Sequence, residues 1–197
     1  MRILLGLVLM TTPAFADEAL VAAAQHRLKQ SITFNGAYLE LDYPGGDVPA
    51  NIGVCTDVII RSYRAAFGFD FQKAVHEDMK ANFSAYPNNW GLRRTDRNID
   101  HRRVPNLETY LKRQGASLGT SRKASDFKPG DIVSWRLGGS LPHIGIISDK
   151  KAADGTPLII HNVGVGPQEE DVLFLYKMNG HFRFIPENKK GEDKSRT

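Results

Sequence analysis

The sequence predicts an α+β fold in which N-terminal helices pack on an antiparallel β-sheet. Two observations predict it. Apolar residues recur at helical spacing in stretches up to Gly115, whereas from Asp131 onward they fall into short β-branched runs punctuated by glycine. A chain of 197 residues is one domain's length and enough to bury a core. Its 41% hydrophobic and 24% charged residues exclude a disordered, fibrous or coiled-coil protein.

The first sixteen residues read as a secretory signal peptide. Met1 and Arg2 form a positive start, Ile3 to Met10 an apolar run, and Ala14-Phe15-Ala16 a small-x-small cleavage site. A buried N-terminal helix is the competing reading. The apolar run is shorter than the ~20 residues of a spanning helix, and no transmembrane segment is expected. No Cys follows the cleavage site, so a lipid anchor is not expected. The expectation is export to the periplasm or beyond, with residues 17–186 as one domain and 187–197 as a polar, disordered tail.

The elements follow in order. Ala19, Leu20, Ala23, Ala24 and Leu28 predict a helix over 18–30. Tyr43-Pro44-Gly45-Gly46-Asp47-Val48-Pro49 is a turn-rich loop. Val58, Ile59, Tyr63 and Ala66 mark one face of a helix over 55–67 that Gly68 stops. Asp70 caps a further helix to about Met79, and Pro105 opens one that Gly115 ends. Residues 82–103 are polar and irregular, with Trp90 expected in the core. Strands are predicted at 131–135, 143–148, 158–163, 172–177 and 181–184.

Formal net charge is +4, and loss of Arg2 with the leader leaves +3. Much of that excess sits in Lys189, Lys190, Lys194 and Arg196. A mildly basic surface suits an anionic polymer such as cell wall. No nucleic-acid partner is expected.

There is one cysteine, Cys55. An unpaired thiol in an exported chain asks for a reason: intermolecular pairing, inert burial, metal ligation or nucleophilic chemistry. Cys55 sits at a predicted helix start, where free N–H groups and the helix dipole favour a thiolate and can hold an oxyanion. His143 begins the strand His-Ile-Gly-Ile-Ile-Ser, and His161 lies in the next one. Neighbouring strands can place both rings on one face, with His143 as base toward Cys55 and His161 as its orienter. Asn162 competes for that last role; alternation sends His161 and Asn162 to opposite faces, so one alone can serve.

The order of parts resembles the NlpC/P60 cysteine peptidases of the papain-like superfamily. The carriers are Gly53-Val54-Cys55-Thr56-Asp57-Val58-Ile59, Gly130-Asp131-Ile132-Val133-Ser134-Trp135, His143-Ile144-Gly145-Ile146-Ile147-Ser148 and then His161. From Tyr38 to about Phe184 the chain also resembles the DUF1287 family of exported bacterial proteins. That likeness rests on Asp42-Tyr43-Pro44-Gly45-Gly46-Asp47, Val54-Cys55-Thr56-Asp57-Val58, Asp96 to Arg103, Leu141-Pro142-His143-Ile144-Gly145, His161-Asn162 and Gly166-Pro167-Gln168.

These resemblances imply a papain-like NlpC/P60-type fold. They also imply a cysteine peptidase or amidase acting on peptidoglycan stem peptides, with Cys55, His143 and His161 in the site and no cofactor. The chain departs from the NlpC/P60 pattern in carrying Cys-Thr-Asp for the usual Cys-Ser-Gly, and in a longer stretch before the Gly-Asp strand. Within that stretch Arg97, Asp100, Arg102 and Arg103 are candidates to bind substrate, the arginines by clamping a carboxylate. A salt-bridged loop is the alternative. Tyr43 and Asp47 are candidates to line the cleft, a turn role being the alternative for Asp47. Two other function classes stay open: a zinc site from Cys55, His143 and His161, which lacks the usual close ligand pairs, and a non-catalytic wall-binding module.

Overall fold

The computed structural model describes residues 13–187 of the chain. The expected leader up to residue 12 and the basic tail from 188 lie outside the described residues. Among the described residues there are four α-helices and seven strands. The helices are α1 (Pro13–Arg27), α2 (Cys55–Phe67), α3 (Phe71–Ala81) and α4 (Val104–Arg113). A two-residue parallel pair joins β1 (Thr33–Phe34) to β2 (Ile52–Gly53). The main sheet holds β3 (Ile132–Leu137), β4 (Leu141–Lys151), β5 (Pro157–Asn162), β6 (Pro167–Glu170) and β7 (Lys177–Phe182). Its order is β6-β5-β4-β3-β7, and every pairing is antiparallel.

α2 is the central helix. Every residue from Cys55 to Tyr63 is buried, because α1 covers one side and the sheet the other. Its predicted bounds hold: Gly68 closes it at φ 64°, a left-handed conformation that favours glycine. Tyr63 Oη donates to the Phe184 carbonyl at 2.8 Å and ties the far end of α2 to the chain after β7. α3 is capped as expected, the Asp70 carboxylate accepting from Gln72 N–H at 2.9 Å. α1 ends three residues earlier than its periodicity predicts, and residues 28–30 close as turns onto Gln25, His26 and Arg27.

The sheet carries two cores. Ile132, Ile144, Ile146, Ile160 and Phe182 pack under the helices. Val133, Trp135, Ile147 and Ile159 face the other way, covered by Phe127 and Leu173. That second cover explains a correction. Residues 172–177 read as a strand, yet the strand lies earlier, at Pro167–Glu170, and 173–175 form a turn. Leu173 is fully buried in that turn, and its carbonyl accepts from Trp135 Nε1–H at 3.0 Å. The alternation of Val172, Phe174 and Tyr176 reflects a lid over Trp135 and not a ladder. Trp90 is also corrected: it is 39% exposed.

No helix among the described residues is long and apolar enough to cross a membrane.

Candidate functional site

The start of α2 is held by its own first turn and by a distant turn at Asp100–Arg102. Asp57 Oδ2 accepts from the Val54 N–H at 2.7 Å. Gly53 allows this approach, since a Cβ there would lie 3.3 Å from Asp57 Oδ2. The same carboxylate takes two hydrogen bonds from Arg102, Nε to Oδ1 at 3.0 Å and Nη2 to Oδ2 at 2.9 Å. Thr56 Oγ1 donates to the Arg102 carbonyl at 3.0 Å. Both residues that follow Cys55 are thereby fixed to the stretch that the sequence reading treats as an insertion.

The Cys55 thiol is buried and unpaired. Burial pushes its pKa up to about 12, aided by the nearby Asp57 carboxylate. Backbone hydrogen bonding at Ile144, Thr56 and Cys55 itself opposes that rise without cancelling it. The contact with Ile144 places the thiol beside the peptide that follows His143.

His143 and His161 are brought into direct contact, His143 Nε2 lying 2.7 Å from His161 Nδ1. Alternation along β4 sends Ile144 under α2 and turns His143 to the opposite face, where its ring stacks on Trp135 at 5.9 Å. Ile146 pairs with Ile160, so Asn162 falls opposite Ile144 and His143 lies one step beyond the end of β5. The thiol thus lies on the α2 face of β4 and the imidazole on the other, and among the described residues no hydrogen bond joins the two. Gly145 makes the crossing of β4 and β5 tight enough. A Cβ there would sit 2.7 Å from Ile159 Cγ2 and 3.1 Å from His161 Cβ.

Asn162 faces the other way. Its Nδ2 donates to the Gly53 carbonyl at 3.4 Å, and its Oδ1 accepts from Gly164 N–H. Of the two competitors, His161 is the one that touches His143. A residue absent from the sequence reading completes the line: His161 Nε2 lies 2.8 Å from Glu170 Oε2. Glu170 is 45% exposed, whereas the two rings are nearly sealed, so the line runs from solvent to the buried His143.

Both rings are kept neutral. Burial drives the His143 pKa down to about 4, and burial also lowers that of His161, against the opposing pull of Glu170. His101, buried in the neighbouring turn, is lowered to about 4 for the same reason. In the unfolded chain these rings charge below about 6.5. The unfolded state therefore binds more protons between 6.5 and 4, and stability is lost as pH falls through that window. The expected loss is on the order of 3 kcal/mol for each ring held at about 4. Thermal melts between pH 7 and pH 4 check it; a flat profile would show that the rings are open to water.

The remaining candidates have other contacts. Arg102 is buried and committed to Asp57. Asp100 is buried too, accepting from Asp96 N–H and Arg103, with its carboxyl pushed up by burial. Arg103 lies over the Trp90 ring at 4.0 Å. Arg97 lies over Tyr43 at 5.7 Å, and Tyr43 meets the edge of His76. Asp47 binds Arg61 at 2.9 Å and Arg64 at 3.2 Å, farther along α2 than Cys55.

Among the described residues no group of three or more His, Cys, Asp or Glu is placed to hold a metal ion. A zinc ion bridging the two histidines needs about 2 Å to each nitrogen, and those nitrogens face each other at 2.7 Å. A concavity of about 1060 Å³ is lined by Phe67, Tyr110 and Phe184 at the far end of α2. It lies roughly 18 Å from Cys55 by helix rise and belongs to no part of this site.

The family "Domain of unknown function (DUF1287)" matches residues 21–184. This chain belongs to the DUF1287 family. The DUF1287 match spans Cys55, His143, His161 and Glu170 alike. The chain is also similar to an Escherichia coli (strain K12) protein called "Uncharacterized protein YijF". The two are 54% identical over 167 residues, which cover 85% of this chain and 81% of that protein.

Proposed function

We propose that this DUF1287 chain is an exported thiol hydrolase that cleaves peptide or amide bonds of peptidoglycan stem peptides. We propose further that its helices and sheet form the papain-like arrangement of the NlpC/P60 enzymes. One observation carries the reading: the hydrogen-bonded line Glu170–His161–His143 ends at the residue whose following peptide touches the Cys55 thiol. The pattern over Met1 to Ala16 supports export.

In this reading the resting pair is a neutral thiol and a neutral imidazole. His143 takes the proton as Cys55 Sγ attacks the carbonyl, and N–H groups at the start of α2 hold the oxyanion. His143 then gives that proton to the leaving amine. Water, deprotonated by His143, releases the acyl group from the thioester, and His143 returns that proton to the departing Cys55 Sγ. No cofactor enters.

The burial that raises the thiol pKa favours a second reading, an inert core cysteine in a wall-binding module. Digestion of purified peptidoglycan by the protein and by Cys55→Ala, read by mass spectrometry, separates the two. New fragments from the unaltered protein alone are expected, and their masses name the bond. Identical digests would remove hydrolysis and leave the module.

A further inference from the structure

We propose that Glu170 is a positioning residue that fixes the protonation of His143 through His161, an inference that rests on the thiol-hydrolase reading. His161 pairs with Gln168 across β5 and β6, so alternation puts Glu170 on the face of His161, diagonal to it. A carboxylate offers acceptor atoms alone, so the proton between His161 Nε2 and Glu170 Oε2 belongs to Nε2. Neutral His161 then has no proton on Nδ1, which must accept. Its partner is His143 Nε2, which must donate. Neutral His143 is left with a bare Nδ1, the lone pair a base toward Cys55 requires.

The titratable groups that face His161 are His143 from β4 and Glu170 from β6. α2 presents Cys55 from the opposite face. Glu169 turns away to Ser148 and Lys150. Among the described residues Glu170 is thus the one carboxylate bonded to the histidine pair. Without it the line can run in reverse: His161 donates from Nδ1 to His143 Nε2, the His143 proton moves to Nδ1, and the base is lost. The sequence carries a signal for this residue, since Glu170 stands two places after the partner of His161. Reading it requires knowing that β6 starts at Pro167.

Long-range ¹⁵N–¹H spectra of ¹⁵N-labelled protein report which ring nitrogen of each histidine is protonated. Both rings are expected as Nε2–H in the unaltered protein. Glu170→Ala is expected to populate Nδ1–H at His143 and to slow iodoacetamide alkylation of Cys55 near pH 7 about tenfold. Glu170→Gln keeps an oxygen acceptor and is expected to restore most of both. Unchanged tautomers in Glu170→Ala would overturn the inference. So would equal losses in both variants with the tautomers intact, which is the mark of a structural role. Alkylation unaffected by His143→Gln would instead sink the thiol-hydrolase reading, while the spectra still decide what Glu170 does to the histidine pair.

Discussion

Arg102→Met is expected to lower the free energy of unfolding by roughly 3–5 kcal/mol. The Arg102 and Asp57 side chains are 2% and 4% exposed and joined by two hydrogen bonds. Removing the guanidinium leaves a carboxylate in the interior without its counter-charge, at the turn that caps α2. Methionine keeps much of the volume, so the loss reports the charge and not a cavity. Urea titrations of the two proteins measure it as a shift in midpoint. Adding Asp57→Asn to Arg102→Met removes the orphaned charge, so the double variant is expected to lose less than the two single losses combined. A loss below about 1 kcal/mol in Arg102→Met would show that water reaches the pair. The result bears on the site as well as on stability, because Asp57 and Thr56 are what hold Cys55 at the helix start.

The second large effect concerns the thiol itself. With its pKa pushed up to about 12, Cys55 is a neutral thiol throughout the neutral range. Its alkylation near pH 7 is expected to be about a thousandfold slower than that of an exposed cysteine near 8.5. Thiol and imidazole both keep their neutral forms from pH 5 to 8, so the His143-assisted rate is expected to stay level across that range and to climb above it, where thiolate forms. Iodoacetamide kinetics across that range, with the modified residue located by mass spectrometry, test this. A rate climbing about tenfold per pH unit through that range would mean that free thiolate reacts without help from His143, and would remove its role as base.

The helices were legible because each carries its own punctuation. Asp70 caps α3, Pro105 opens α4 and Gly68 closes α2 whatever lies nearby. Cys55 and His143 stood out for local reasons too: a lone thiol at a helix start and a histidine heading an apolar strand. The role expected of Arg102 was less readable. A dense polar run from Asp96 to Arg103 looks the same in sequence whether its arginines face water or a buried carboxylate. Tertiary packing turned Arg102 inward to Asp57 and left Arg103 over Trp90. The strand expected at 172–177 failed for the converse reason. Alternating apolar residues satisfy a lid as well as a ladder, and what decided was that Trp135 needed a cover and an acceptor.

The sequence by itself determined the four helices, the strands β3 to β5, the helix start under Cys55, and the face shared by His143 and His161, because caps and period-two alternation act over a few residues. Only the tertiary structure decided that His161 rather than Asn162 meets His143, that Glu170 ends the line, and that Arg102 braces the start of α2. Those contacts depend on strand register and on approaches between segments 9 to 45 residues apart, where no local pattern reaches.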